Sequence, residues 1–333
     1  MSVPSPRTRF RPLPLLIGAA ALALAIALTV LTGGTFSSRT GYDQAAHEVA
    51  LSEWWRLWAI PPVETALIAV LLAWLLIRAR PGGRWWAVAC AALLLAAVCS
   101  PVAGLAQGGL LTGHMVQHVA MGGVAPLLAL LALPKAAPGA APRRAWHVIL
   151  TPGPAFALWV ISTATWLAPA VHHQVLLHQI WWIAQQVGFF AFGALLWVPI
   201  TERITPAPTW FGTGAKAVYM VGVWLVGVTL ANIFWFSGTA FYPAHAAAAK
   251  AWGLTPLEDQ GYAGTVMMLT HCVLAFGAVG VLFFRAQGER SLEQRLTEAG
   301  LDADEARWAV RYGDRAAVAR SVGVPLKMRA GID

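Results

Sequence analysis

Residues 109–133 read GLLTGHMVQHVAMGGVAPLLALLAL, with no Lys, Arg, Asp or Glu among them. A hydrocarbon core about 30 Å thick is crossed by roughly 20 apolar residues in a helix, so this stretch reads as a membrane span. Two imidazoles interrupt it, His114 and His118. Lying four residues apart, they share one helix face. Ionisable side chains are costly in lipid, turn toward the bundle interior and mark function by default.

The apolar pattern recurs on both sides of that stretch. Runs at 13–32, 60–78, 85–101, 147–168, 177–200, 215–237 and 262–284 bring the expected spans to about eight. Hydrophobic residues make up 58% of the 333-residue chain and charged ones 11%, against about 25% charged in a soluble domain. The fold class expected is all-α: a polytopic transmembrane bundle with a seven-span core, an N-terminal anchor and a short cytoplasmic helical tail. The corresponding regions are 1–53 (anchor and outer loop), 54–285 (membrane domain) and 286–333 (tail, two short amphipathic helices). Behind Arg7, Arg9 and Arg11, the first run reads as a signal peptide or an anchor; no small-x-small cleavage site follows, which favours the anchor.

The net charge of +8 does not imply nucleic acid, because its placement follows the spans. Arg78, Arg80 and Arg84, then Lys135, Arg143 and Arg144, then Arg203 and Lys216, then Arg285 fall on one side, while Arg39, Arg56 and Lys250 fall on the other. The positive-inside rule makes the first side cytoplasmic. A multi-pass membrane protein with both termini on the cytoplasmic side is expected.

Given that orientation, most of the nine histidines lie toward the outer face. By helical rise, His114 and His118 sit roughly 7 and 13 Å below the outer boundary. Met267 and His271 repeat that arrangement in the last span, and Gln185 and Gln186 come at about 13–15 Å in the sixth. Imidazole and thioether together suit copper, with Met favouring Cu(I). Hard cations, and proton or ion coupling, would call for intramembrane carboxylates that the spans scarcely contain. A plainer reading of the layer is interhelical hydrogen bonding, about 0.6–2 kcal/mol per contact, with Met267 and Met121 as packing. His172 and His173, in an outer loop over 169–176, and His178, which opens the sixth span, fall at the aqueous surface; His47 and His245 are loop residues, and His147 is structural. Cys90, Cys99 and Cys272 fall inside spans without a CxxC and read as buried thiols, with Cys272 beside His271 as an alternative soft donor.

The chain resembles the CtaG family of assembly factors for caa-type cytochrome c oxidases. The residues that carry the likeness are Gly113-His114-Met115-Val116-Gln117-His118 followed by Ala125-Pro126-Leu127-Leu128, and Pro256-Leu257-Glu258-Asp259-Gln260 with Gly264. Trp58 and Leu195-Leu196-Trp197-Val198-Pro199 match more weakly, and similarity extends over roughly 54–285. The resemblance implies a non-enzymatic membrane protein that helps assemble a haem–copper oxidase by supporting copper delivery. Its partners would be oxidase subunits, other copper chaperones and membrane lipid, with no nucleic acid. By carry-over, His114 and His118 become candidate copper ligands and Asp259 a polar residue near them. Two departures stand out: Trp166-Leu167-Ala168-Pro169 replaces a Trp-His-x-Pro, and Gln185-Gln186 replaces a Glu-His pair. His172, His173, His178 or His271 would then complete the donor set.

Other classes remain open on sequence. A b-type haem protein would use His118 with a histidine such as His271 as axial ligands. A di-iron oxygenase would build on His114, His118 and His172-His173 but needs more histidines than these. A transporter or structural subunit is the remaining alternative. No Ser or Cys nucleophile has a recognisable partner, so no enzyme is expected.

Overall fold

Proline opens five of the α-helices described below. The computed structural model describes residues 51–107, 109–136, 148–312 and 323. In order, its α-helices are α1 (Pro62–Arg78), α2 (Arg84–Cys99), α3 (Pro101–Gln107), α4 (Leu111–Val119), α5 (Ala125–Ala132), α6 (Pro152–Leu167), α7 (Pro169–Leu177), α8 (Gln179–Thr201), α9 (Thr213–Phe236), α10 (Ala246–Ala251), α11 (Pro256–Glu298) and α12 (Ala303–Tyr312). Pro62, Pro101, Pro152, Pro169 and Pro256 each open a helix, at the position where a missing N–H costs nothing and the fixed φ suits the first turn.

The architecture is all-helical, as expected, but the count of about eight spans is met only in part. Among the described residues, four helices are long and apolar enough to cross a membrane, or up to six if two bent pairs each form one span. The four are α8, α9, α11 and the continuous Leu111–Ala132 segment made of α4, one π-helical turn (Ala120–Val124) and α5. The bent pairs are α2–α3, at 45°, and α6–α7, at 66°. In both, a proline restarts the helix at a new angle, because its ring cannot continue the preceding hydrogen-bond ladder. Residues 169–176, expected as a loop, therefore lie wholly within the helix α7. Helix α1 is 17 residues long and ends before Pro81 and Gly82, the latter at φ +78°. The expected first span, 13–32, lies outside the described residues, as do His47, Arg143, Arg144 and His147.

The described chain divides into two compact units: residues up to Ala207 with Val223–Leu274, and Pro208–Gly222 with Ala275 onward. The first unit is tied by close backbone approaches. A methyl group on Gly193 of α8 would come within 2.0 Å of the Gly122 carbonyl in the π-helical turn, and one on Gly264 within 2.9 Å of Trp235. Small residues at such crossings let membrane helices pack without a hydrophobic driving force. The Trp197 indole adds a 2.9 Å hydrogen bond to the Gly123 carbonyl. In the second unit, the end of α11 folds back on α12 with Leu292 and Leu296 against Ala306, Ala309 and Val310. Gly300, at φ +99°, makes that reversal, in the left-handed conformation that commonly follows a helix end. Two separate short helices were expected here; instead the first is a continuation of α11.

Candidate functional site

The motif Pro256–Gln260 turns out to be a clamp. Thr255 and Glu258 form a capping box at the start of α11: the Glu258 carboxylate accepts the Thr255 N–H at 2.7 Å, and Thr255 Oγ1 accepts the Glu258 N–H at 3.2 Å. Asp259, buried, reaches across to α4. Its carboxylate accepts the N–H of Leu111 at 2.8 Å, the N–H of Thr112 at 3.0 Å and the Thr112 hydroxyl at 2.6 Å. Those N–H groups are orphan donors of a helix N-terminus, where a negative charge is also favoured by the dipole. Gln260 accepts the Phe241 N–H and donates to the Phe234 carbonyl. The clamp sets the depth and rotation of α4, and hence of its two histidines. Gln117, between them, donates to the Ala97 carbonyl of α2 at 2.6 Å.

Four imidazoles then meet. His114 lies with its ring centroid 4.2 Å from His118, 4.7 Å from His172 and 6.4 Å from His245. His172 is delivered by the bend at Pro169, and His245 by a 3-10 turn, Pro243–His245. All four are buried. His172 Nε2 and His245 Nε2 are 2.8 Å apart, and His245 Nδ1 contacts the Gly109 carbonyl at 2.5 Å. A carbonyl only accepts, so His245 carries its proton on Nδ1 and presents a lone pair at Nε2. His172 must then donate from Nε2, which leaves its Nδ1 as a lone pair. Tyr242 supports His172, ring to ring at 4.7 Å, while its hydroxyl donates to the Leu167 carbonyl at 2.6 Å.

Much of this cluster makes no hydrogen bond of good geometry, although Gln185 stands beside both His114 and His118. Both nitrogens of His114, both of His118, Nδ1 of His172, the Trp182 indole nitrogen and Nε2 of Gln185 are buried without a hydrogen bond. Trp182 lies 5.2 Å from His114, and Phe189 4.2 Å from His118, ring to ring. An unsatisfied buried donor or acceptor costs about 1–3 kcal/mol, so a concentration of them is costly to the bundle. Among the described residues, however, no group of three or more His, Cys, Asp or Glu side chains is arranged to hold a metal ion.

The sequence-based candidates separate accordingly. His114 and His118 are in the cluster, and Gln185 is buried with them. His172, expected at the aqueous surface, is buried inside it, whereas His173 and His178 are exposed. Met267 packs in an apolar cluster with Met115, Leu111, Phe234 and Tyr242. His271 faces elsewhere: a methyl on Gly227 would touch its ring at 2.3 Å, and Trp159 lies 6.1 Å away. Its Nδ1 bonds to the Met267 carbonyl at 2.8 Å, so shared depth did not mean shared direction. Asp259 has its carboxylate engaged by the α4 N-terminus rather than by the imidazoles. Cys272 accepts from the Trp224 indole at 3.3 Å, and the three cysteines are free thiols. His245 is the residue that sequence reasoning missed. The one available signal was Tyr242-Pro243, a proline turn with an aromatic anchor, preceding it.

The comparison with known families now applies. Residues 71–288 match the model of the cytochrome c oxidase caa3 assembly factor family, Caa3_CtaG. The chain belongs to that family. No curated protein and no solved structure matches it. Both motifs of this CtaG-family chain, the one around His114 and the one around Asp259, fall within the matched residues, and the second holds the helix that carries the first.

Proposed function

We propose that this CtaG-family assembly factor holds Cu(I) transiently between His114 and His118 and passes it toward a cytochrome c oxidase subunit. One observation carries the reading: two adjacent buried imidazoles whose four ring nitrogens make no hydrogen bond of good geometry, with the Gln185 side chain the one polar neighbour within reach of both. Imidazole is a good copper donor, and Cu(I) accepts two-coordinate sites, so a pair suffices where no three-ligand group stands ready. His172 Nδ1, on a ring whose centroid is 4.7 Å from that of His114, is a further lone pair beside the pair. Few ligands suit an ion that must leave again. The basic residues gather at the opposite end of the Leu111–Ala132 span, which by charge bias is the cytoplasmic one; the imidazoles then face the outside of a bacterial inner membrane. Oxidase subunits and other copper chaperones are the partners this implies, and copper is cargo rather than a catalytic cofactor.

The test is Cu(I) stoichiometry and affinity of the purified protein, compared with His114→Ala combined with His118→Ala, alongside oxidase activity in a deletion strain with and without added copper. One ion bound by the parent and lost in the double variant, with oxidase activity restored by excess copper, supports the reading. Equal copper in both proteins removes the pair from the account, and a cluster of buried waters then satisfies these nitrogens instead.

A further inference from the structure

The donors around His114 do not by themselves choose a metal. Imidazole suits zinc, copper, iron and nickel alike, so ligand type leaves Zn(II) as acceptable as Cu(I). What separates the two ions here is charge. His245 and His172 each hold a single proton in the arrangement fixed by the Gly109 carbonyl, so both are neutral. Around His114 and His118 stand Trp182, Phe189 and Gln185, none of them ionisable. Among the described residues two carboxylates are buried, Glu64 and Asp259. Glu64, in the first turn of α1, acts on Cys99 and not on these rings. The Asp259 carboxylate is engaged by three donors at the N-terminus of α4.

Gln185 occupies the place where a charge would matter most. It is 1% exposed, projects from α8, and is the one polar neighbour beside both His114 and His118. Its Nε2 is buried without a hydrogen bond of good geometry, whereas an amide kept only for bonding between helices would have that donor paired. Moving an ion from water into a protein interior costs free energy in proportion to the square of its charge, so a dication without a counter-charge meets about four times the penalty of a monocation.

We infer that Gln185 sets the charge selectivity of this site: by leaving the imidazole pair without a counter-charge, it admits Cu(I) and turns away Zn(II) and Cu(II). This selectivity rests on the copper reading above, and Gln185 determines it without being a ligand.

Anaerobic competition of the full chain in detergent against coloured Cu(I) and Zn(II) chelators measures both affinities. The parent should keep Cu(I) when Zn(II) is added in excess; zinc displacing it would overturn the assignment whatever the variants do. Gln185→Glu is isosteric and adds one carboxylate. For charges about 4 Å apart at an effective dielectric near 20, a dication gains about a thousandfold over a monocation. Ionising a buried carboxyl takes part of this back, so the Zn(II)-to-Cu(I) affinity ratio should rise by at least about tenfold. Gln185→Leu, which is neutral, should leave the ratio close to the parent's. Gln186→Glu, with the same charge on the next residue of α8, should do likewise. An unmoved ratio in Gln185→Glu, or an equal rise in Gln186→Glu, would overturn the assignment. His114→Ala with His118→Ala separates the two readings. Cu(I) retained there sinks the copper site and this selectivity with it, whereas Cu(I) lost there, with the ratio unmoved in Gln185→Glu, overturns the selectivity alone.

Discussion

Replacing Asp259 tests whether the second family motif works by holding the first. In Asp259→Ala the N–H groups of Leu111 and Thr112 lose their acceptor. Two orphaned donors at about 1–3 kcal/mol each, with the favourable charge at a helix N-terminus gone, give an expected loss of about 3–5 kcal/mol. At about 2–4 °C per kcal/mol for a domain of 150–250 residues, the melting temperature should fall by roughly 6–20 °C. Asp259→Asn keeps one acceptor oxygen and should lose less, about 1–2 kcal/mol. The assay is thermal unfolding in detergent, read by intrinsic fluorescence, with Cu(I) affinity measured on the same samples. Because the carboxylate bonds α4 rather than the imidazoles, Asp259→Asn should weaken copper only through a loosened α4, and less than His114→Ala does. The reasoning fails if Asp259→Ala melts within about 1 °C of the parent, or is no more disruptive than Glu258→Ala at the solvated capping box. It also fails if Asp259→Asn abolishes copper binding while leaving the melt unchanged, since that would make the carboxylate a ligand.

Three further outcomes follow from the packing. Gly193→Ala forces a methyl to within 2.0 Å of the Gly122 carbonyl and should cost about 1–3 kcal/mol by thermal melting, whereas Gly153→Ala, with open space around it, should be neutral. Tyr242→Phe removes the bond to the Leu167 carbonyl, for about 0.5–1.5 kcal/mol, and should loosen His172, seen as broadened imidazole signals in NMR of labelled protein. Gly227→Ala should displace the His271 ring yet leave copper stoichiometry unchanged; a loss of copper would return His271 to the donor set.

Helix identity and the His114/His118 pair were legible because both are local. Apolar runs and a four-residue spacing survive without any knowledge of neighbours. The span count was less legible, because Pro101 and Pro169 sit inside or at the edge of apolar runs that hydropathy reads as continuous, and the angle at each break is a backbone property. Depth arithmetic grouped His271 and Met267 with His114. It fixes height along a span but not rotation about it, and the close approach at Gly227 decides that rotation. His172 and His245 were read as solvated loop residues because composition cannot show that α7 folds back or that a proline turn tucks inward.

The sequence alone determined that this chain lives in a membrane, that its basic residues gather toward one side, and that two imidazoles share a helix face near the other, since each depends only on residue type and spacing. Tertiary structure alone decided that four histidines meet and that Asp259 is engaged as a clamp on α4. Each of those depends on which helices touch, and contact between residues more than a hundred positions apart is set by packing, not by any local pattern.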